Sequence, residues 1–315
     1  MADIRPQTLD QFIGQEPVKI VLGRFLADAK ARGVPAPHFL FTGAPGLGKS
    51  TLSGIVANEM GGKMIPTTGL NLKTAKDVYQ VLLSLNPYDV LFCDEIHETR
   101  LPEALYTTLE SGRVEIPVTS GKFTETLQYK LPSFTMIGAT TNPAELPKPL
   151  LDRFTLIHLM GYTPDEMYKI VARSCWVKGM NQVTGAAVQE IVNRSRYVPR
   201  VANGFVEYVR VYAKDTPIDT PIVEAAFAEM GVDSMGLNEL DRKYLRTIIE
   251  KYDGGKVGLE TLAASMSEDA KSIYKVVEPY LLQQSLVEVT RGGRIALPKA
   301  YTHLGYKPKD ETVMG

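Results

Sequence analysis

The sequence predicts an α/β protein of three domains: a parallel β-sheet sandwiched by helices over 1–160, an all-helical domain over 161–234, and a winged helix over 235–315. Short apolar segments alternate with helical patterns through the first domain, which is typical of a parallel sheet covered on both faces. From Gly161 to about Asp233 only helical patterns follow. The last block ends in helices and a hairpin pattern, which is the order of elements in a winged helix.

Composition places the chain among ordinary globular proteins, with 44% hydrophobic and 23% charged residues. The absence of a long apolar run predicts no membrane span. The N-terminus lacks the apolar stretch of a signal peptide, so we expect a cytoplasmic, nucleoid-associated location. The net charge of −1 does not indicate a nucleic-acid partner. Contact with DNA would therefore depend on local residues.

Histidine and cysteine spacing predicts no zinc site. The two cysteines, Cys93 and Cys175, are far apart, and we expect both to be buried thiols. His97 and Glu98 begin an H-E-x-x-H pattern, but Leu101 stands where the second histidine belongs.

The elements of the first domain follow from short apolar runs and the turns between them. The predicted strands are Phe39–Phe41, Val90–Cys93 and Phe134–Ala139. A helix is predicted over Thr51–Met60 because glycines follow it. Between the second and third strands, Val114–Leu131 alternates apolar and polar residues around Ser120 and Gly121, which predicts an inserted β-hairpin.

The segment Gly43–Ser50 matches G-x-x-x-x-G-K-[ST], the phosphate-binding loop, between a predicted strand and a predicted helix. Its glycines allow backbone N–H groups to surround a phosphate, and the helix N-terminus adds positive potential. Lys49 would contact the β- and γ-phosphates, and the Ser50 hydroxyl would be a Mg²⁺ ligand. The alternative is a glycine turn with a coincidental lysine, which the strand and helix context disfavours.

Two carboxylates, Asp94 and Glu95, follow the strand Val90–Cys93. A carboxylate at the end of a buried strand reaches the shell of a bound metal, and the next one polarises the attacking water. We therefore assign Asp94 to Mg²⁺ and Glu95 to the water. Alone, the pair could also be a surface acidic pair at a strand end, but the phosphate-binding loop makes that alternative weak.

Two later positions suit the same chemistry. Ala139–Asn142 ends the next strand, where a polar side chain would sense the γ-phosphate. Arg153 would be an ordinary surface arginine by composition, or else an arginine finger that stabilises charge on a neighbouring subunit's ATP. The second interpretation requires an oligomer, which spacing alone does not show.

Short segments spread over nearly the whole chain carry a more specific pattern. They are Arg5–Gln15, Gly43–Lys49, Asp94–His97, Ile137–Thr141, Tyr162–Pro164, Pro199–Asn203, Glu239–Asp241, Glu278–Leu282 and Ala300–Tyr301. Together these segments resemble the RuvB family of AAA+ ATPases. Many ATPases share the glycine loop and the acidic pair, whereas the N-terminal, Pro199 and C-terminal segments are more specific.

The resemblance implies a P-loop AAA+ domain, a helical lid and a winged helix, assembled as a homo-hexameric ring on duplex DNA. It implies ATP-driven branch migration of Holliday junctions, with ATP and Mg²⁺ as cofactors. Thr141 would be sensor 1, Arg153 the arginine finger and Arg200 sensor 2. The nucleotide would be bound by Arg5, Pro6, Phe12, Ile13, Pro45, Gly46, Leu47, Gly48, Lys49, Ser50, Thr51, Tyr162, Pro199 and Arg200.

The chain departs from the family pattern at three places in the first domain. Leu151 stands where the family has the first of two arginines before Phe154. The segment after His97 is about two residues shorter. The hairpin, which docks on RuvA in the family, carries Pro117 and Phe123 in place of the usual isoleucine pattern. Pro117 predicts an edge strand, and the expected partner at 114–131 is a RuvA-like junction-binding protein.

The predicted wing also differs, with Arg291 displaced by one residue and Arg294 in its usual place. Because the third domain is not basic overall, contact with DNA would be local, through Arg291, Arg294 and Lys299. Such contacts to phosphates carry little base information and are sensitive to salt. The alternative is a winged helix that binds protein.

The sequence therefore predicts an ATPase that moves duplex DNA as an oligomeric ring. Two other classes share its nucleotide site. One is a clamp-loader or initiator-like ATPase that assembles proteins on DNA. The other is a protein-remodelling switch whose ATPase responds to a protein and not to DNA.

Overall fold

A computed structural model of the chain describes residues 4–99, 108–120, 123–214 and 216–308. Its contacts divide these residues into two compact units. The first takes in the described residues up to Asn181 together with Tyr197–Val206. The second takes in Gln182–Arg196 and the described residues from Glu207 onward. The division into three domains at 160 and 234 stays a prediction.

A five-stranded parallel sheet forms the centre of the first unit, in the order β2-β3-β6-β1-β7. The three predicted strands are confirmed as β1, β3 and β6. The five strands are β1 Phe39–Thr42, β2 Met64–Thr68, β3 Val90–Asp94, β6 Thr135–Thr140 and β7 Thr155–His158. The helices of this part of the chain are α1 Glu16–Arg32, α2 Lys49–Met60, α3 Ala75–Leu82, α4 Lys148–Leu151 and α5 Pro164–Val177.

The central strands β1 and β6 are buried along their whole length, as expected for a sheet covered on both faces. Burial of their apolar side chains stabilises the folded chain by about 25 cal/mol for each Å² of apolar surface removed from water. This burial fixes the carboxyl ends of β1, β3 and β6 at one edge of the sheet. The loops that follow these strands carry the candidate site.

Helix α2 begins at Lys49, two residues before the predicted start. Gly48 precedes it with φ of 103°, a left-handed conformation that glycine adopts without steric cost. The loop therefore turns directly into the helix, and Lys49 lies in its first turn.

Helix α5 begins with a capping box. The Thr163 side chain accepts from the backbone N–H of Glu166, and the Glu166 carboxylate accepts from the backbone N–H of Thr163. Pro164 occupies the first helical position, where no N–H is needed.

The inserted hairpin is also confirmed, as β4 Arg113–Ser120 paired with β5 Phe123–Lys130. The two strands form a sheet of their own, so both are edge strands, in agreement with Pro117. Gly121 of the predicted turn, and the side chains of Pro117 and Phe123, lie outside what the structure describes. Val114 is buried at the base of the hairpin, whereas Leu127 and Tyr129 are exposed.

The second unit holds helices followed by a three-stranded antiparallel sheet in the order β8-β10-β9. Its first helices are α6 Gly185–Arg194 and α8 Thr220–Glu229. The helix between them in the chain, α7 Pro199–Ala213, begins with residues of the first unit and ends with residues of the second.

The C-terminal part is a winged helix, as predicted. Its helices are α9 Glu239–Arg246, α10 Leu259–Met266, α11 Ala270–Ser272, α12 Glu278–Gln283 and α13 Pro298–Leu304; its strands are β8 Gly255–Val257, β9 Val287–Thr290 and β10 Gly293–Ala296. Its core is apolar, with Tyr244 as its largest fully buried side chain. Among the described helices, none is both long and apolar enough to cross a membrane.

Candidate functional site

The loop between β1 and α2 curls at the carboxyl end of the sheet. Gly43, Gly46 and Gly48 all have positive φ, and two of them are in close contact with other segments. A Cβ added to Gly43 would lie 2.6 Å from the Leu159 carbonyl oxygen, and one added to Gly46 would lie 2.6 Å from Cγ1 of Val198. The glycines are thus required by both backbone conformation and space.

Lys49 is almost fully buried, and its ammonium donates to the carbonyls of Gly43 at 2.8 Å and Ala44 at 3.1 Å. Burial lowers the pKa of Lys49, and the carboxylates of Glu95 and Asp94 raise it in part. A buried cation of this kind is stabilised by an anionic partner. The loop therefore favours a ligand that brings negative charge to Lys49.

The acidic pair lies at the end of β3. Asp94 ends the strand and its carboxylate accepts from the backbone N–H of Glu95 at 3.1 Å. Glu95 has φ of 45°, a left-handed conformation that is uncommon away from glycine and is found at functional sites. The turn that follows Glu95 brings His97 to 3.3 Å from Oε2 of the same carboxylate.

One cavity of about 260 Å³ brings the loop and the acidic pair together. Its lining contains Pro45, Gly46, Gly48, Lys49, Ser50, Thr51, Asp94, Glu95, Pro199 and Arg200. Leu47 is buried beside it, and the Leu47 carbonyl accepts from the Tyr162 hydroxyl at 2.9 Å. Cations and carboxylates thus face each other across one space.

An adjoining cavity of about 90 Å³ is more apolar. The residues predicted for adenine and ribose all line it: Arg5, Pro6, Phe12, Ile13, Tyr162 and Pro199. Asn203 lines both cavities, and its side-chain oxygen accepts from the Ser174 hydroxyl at 2.7 Å. Asn203 was not among the predicted site residues, although it lies one helical turn after Pro199 and inside the segment that carried the resemblance.

An apolar cavity beside a charged one offers what a nucleotide requires. Gly48 lines both cavities, and a Cβ added to it would lie 3.0 Å from Cζ of Phe12 and 3.5 Å from the Tyr162 hydroxyl, so glycine leaves room where the two cavities adjoin. The charged cavity offers Lys49 to phosphates. Ser50 and Asp94 provide the oxygen ligands that Mg²⁺ prefers.

The structure does not bring Thr141 or Arg153 into these cavities. Thr141 is exposed just beyond the end of β6, and the described lining residues of the two cavities do not include either side chain. Arg153 pairs with Glu110 at 2.8 Å. Its place away from its own nucleotide site agrees with a role at a neighbouring subunit's site.

The wing requires a correction at Arg294. Its guanidinium donates to both oxygens of the buried Glu278 carboxylate, at 2.7 and 3.2 Å. The Tyr244 hydroxyl donates to the same carboxylate at 2.9 Å. The hydrogen bond to Glu278 raises the pKa of Arg294. Because Arg294 is needed to neutralise a buried carboxylate, the prediction that it contacts DNA is corrected to a structural role.

The exposed cations of the wing are Arg291 and Lys256. Arg291 lies in the turn between β9 and β10. Lys256, in β8, is exposed and has φ of 58°; a Cβ added to Gly292 would lie 3.7 Å from its Cγ. The sequence pattern does not indicate Lys256, because its strand is distant along the chain from the hairpin that carries Arg291. Lys299 donates to the Gln284 carbonyl at 2.9 Å.

Both cysteines are buried, as predicted. Burial raises the pKa of Cys93 to about 12 and that of Cys175 to about 11, so both remain thiols at neutral pH.

Three family profiles match consecutive parts of the chain. The Holliday junction DNA helicase RuvB P-loop domain matches residues 4–160 and the RuvB AAA lid domain matches residues 162–233. The RuvB C-terminal winged helix domain matches residues 234–305. The profiles therefore cover nearly the whole chain.

Known proteins of similar sequence and structure carry the same name. The Holliday junction branch migration complex subunit RuvB of Rubrobacter xylanophilus is 43% identical over 313 residues, which are 98% of this chain and 88% of that protein. The solved structure of the Thermotoga maritima RuvB Holliday junction branch migration motor is 39% identical, with a TM-score of 0.82 over 96% of this chain and 99% of that chain. A mutant of the same protein gives a TM-score of 0.84 at 39% identity, over 96% of this chain and 99% of that chain.

Proposed function

This chain belongs to the RuvB family, and we propose that it hydrolyses ATP to drive branch migration of Holliday junctions. The observation that carries the proposal is one cavity lined by Lys49, Ser50, Asp94 and Glu95. These residues supply the charge, the metal ligands and the base that phosphoryl transfer to water requires. The matched winged helix supplies a place for DNA.

Catalysis at this cavity is positioning and charge neutralisation. Lys49 moves its hydrogen bonds from loop carbonyls to the β- and γ-phosphates, which are stronger acceptors. Glu95 orients the attacking water and withdraws its proton. Arg200, at the rim of the same cavity, contacts the phosphates as sensor 2.

Mg²⁺ would be held by the Ser50 hydroxyl and the Asp94 carboxylate, which line the same cavity. The ion neutralises charge on the β- and γ-phosphates when it is bound. Both residues lie in rigid surroundings: Ser50 is in the first turn of α2, and Asp94 ends a buried strand.

The working form is a homo-hexameric ring on duplex DNA. The described residues that line the two nucleotide cavities do not include Arg153 of the same chain. Arg153 instead completes a neighbour's site as the arginine finger. Thr141 responds to the γ-phosphate as sensor 1, at the exposed end of β6. This arrangement makes hydrolysis depend on assembly.

In the wing, Arg291 and Lys256 contact the phosphate backbone of the DNA. Both side chains are exposed, and the Lys256 side chain lies against the turn that carries Arg291. Two cations at one tip suit the phosphates on either side of a groove. Such contacts grip DNA of any sequence, as a motor that moves along it requires.

A RuvA-like junction-binding protein docks on the hairpin β4–β5. Leu127 and Tyr129 are two residues apart on β5, so they share one face, and both are exposed. An aromatic and a leucine side chain on an exposed hairpin suit an apolar protein contact.

Dissociation of a synthetic four-way junction tests the proposed function. We expect dissociation to require ATP, a RuvA protein and Lys49, and Lys49→Ala to reduce it to the rate without ATP because the phosphates lose their buried cation. Dissociation without RuvA would disprove the partner proposal. ATP hydrolysis without junction processing in either condition would instead indicate a loader or a protein-remodelling ATPase.

The salt dependence of DNA binding tests the wing. Each phosphate contact contributes about one unit to the slope of log K against log salt. We expect Arg291→Ala and Lys256→Ala each to lower this slope by about 1, for any duplex sequence. Titration of a fluorescent duplex at several salt concentrations measures it. The control is Lys76→Ala on α3, which should leave the slope unchanged. Unchanged slopes for both wing variants would place the DNA contact elsewhere.

A further inference from the structure

His97 is the part of the acidic motif to which the proposed mechanism gives no role. It lies in the short 3-10 turn Ile96–Glu98 that follows Glu95. The turn is held firmly: Ile96 is fully buried, and the Glu98 N–H donates to the Glu95 carbonyl at 2.9 Å. The His97 side chain is only 14% exposed.

The His97 imidazole lies between two elements of the nucleotide site. Its Nδ1 is 2.8 Å from Oγ1 of Thr140, at the end of β6, and 3.3 Å from Oε2 of Glu95. Thr140 is fully buried and precedes Thr141, the proposed γ-phosphate sensor. One ring nitrogen therefore connects the residue beside the sensor to the proposed base.

The hydrogen-bonding requirements of these groups indicate where the proton lies. Oε2 of Glu95 is buried and has no hydrogen-bond partner within the described residues. A buried carboxylate oxygen without a donor is costly. In the tautomer that carries its proton on Nδ1, the His97 ring faces both Oγ1 of Thr140 and Oε2 of Glu95, and its Nε2 lies 3.8 Å from Oε2 of Glu145. The Thr140 hydroxyl also accepts from the Asn142 N–H at 3.0 Å.

We propose that His97 is a positioning residue for ATP hydrolysis: it orients the Glu95 carboxylate toward the attacking water and links it, through Thr140, to the γ-phosphate end of β6. Without this donor the carboxylate rotates freely, and the water is misplaced. Misplacement of a reacting group by about 1 Å costs on the order of 100-fold in rate. ATP binding depends on the loop and the apolar cavity, so it does not require His97.

A merely structural role gives a different result. A histidine that only fills space between β3 and β6 affects folding and nucleotide affinity, and an apolar ring of similar size replaces it without loss of turnover. With a positioning role, loss of His97 lowers the rate of hydrolysis but leaves ATP affinity unchanged. The rate is restored by any side chain that presents an N–H at the same point. Asparagine does so, since its Nδ2 can occupy the place of Nδ1.

The experiment compares His97→Phe, His97→Asn and Thr140→Val in the full chain, assembled with duplex DNA. Turnover is measured at saturating ATP, and affinity with a fluorescent ATP analogue. We expect His97→Phe to lower kcat by about 10- to 100-fold with nucleotide Kd within about twofold, and His97→Asn to recover most of the rate. Thr140→Val should lower kcat in the same way. The double variant His97→Phe with Thr140→Val should be no slower than His97→Phe, since the two residues act as one unit.

Three results overturn the proposal. The first is wild-type kcat for His97→Phe, and the second is an equal loss of kcat and ATP affinity. The third is a rate for His97→Asn no better than that for His97→Phe. If His97→Phe does not fold, as judged by thermal unfolding, Thr140→Val decides, because it removes the hydroxyl at nearly constant volume. Wild-type kcat for that variant then overturns the link to β6.

Discussion

Arg153→Ala is expected to reduce ATP turnover of the assembled ring by about 10³-fold while ATP binding is retained. An arginine supplied in trans stabilises charge on the transferring phosphoryl group and accounts for about 10³ to 10⁵ in kcat. Arg153 forms an ion pair with Glu110 that is largely exposed on the Glu110 side, and it also donates to the Pro149 carbonyl. Exposed ion pairs contribute at most about 1 kcal/mol, so breaking the pair with Glu110 costs little.

Mixed rings separate a role in trans from a role within the subunit. Rings of Arg153→Ala alone and of Glu95→Gln alone should both be nearly inactive. In a mixture, a Glu95→Gln subunit still offers its Arg153 to a neighbour that keeps Glu95. We therefore expect ATP turnover to reappear on mixing, at a rate set by the fraction of such pairs.

Loss of an arginine from another exposed place controls for general effects on charge. Arg32→Ala, which removes a surface pair with Asp28 on α1, should turn over ATP at the wild-type rate. If Arg153→Ala also kept the wild-type rate in assembled rings, the arginine-finger assignment would be wrong. If mixing restored nothing, Arg153 would act only within its own subunit.

The parts of the site that were predictable from sequence are those that are contiguous in the chain. Gly43–Ser50 determines its own conformation through glycines and a helix start. Asp94 and Glu95 follow directly from a buried strand. The apolar cavity is different, because Phe12, Tyr162 and Pro199 come from three distant segments and nothing in their local sequence joins them. Only the family resemblance grouped them.

Contacts between polar side chains distant in sequence could not be predicted. His97 and Thr140 are 43 residues apart, and Arg294 and Glu278 are 16 residues apart. The sequence shows that such residues can carry charge or donate hydrogen bonds. Burial decides which of them bind a partner inside the protein and which remain available to a ligand. The hairpin pattern indicates a wing and therefore predicts that Arg294 contacts DNA. The burial of Glu278, which pairs with Arg294, depends on how the helices pack and is not visible in the sequence.

The second large effect is on stability, at the pair formed by Arg294 and Glu278. Glu278 is 1% exposed, and the Arg294 guanidinium donates to both of its carboxylate oxygens. Arg294→Ala leaves this carboxylate buried with the Tyr244 hydroxyl alone. Removing one partner of a buried ion pair costs about 3–5 kcal/mol. Hydrogen exchange of winged-helix amides should therefore accelerate by about 150- to 5,000-fold.

A double substitution separates this structural role from contact with DNA. Arg294→Met with Glu278→Leu replaces the pair by apolar side chains of similar size, which for buried ion pairs is often neutral. We expect this variant to recover the protection lost in Arg294→Ala and to bind duplex DNA with the wild-type salt slope. A stable double variant whose slope falls by about 1 would show that Arg294 contacts a phosphate after all. Arg291→Ala lowers the slope without loss of amide protection, so the two arginines of one hairpin give opposite results in the two measurements.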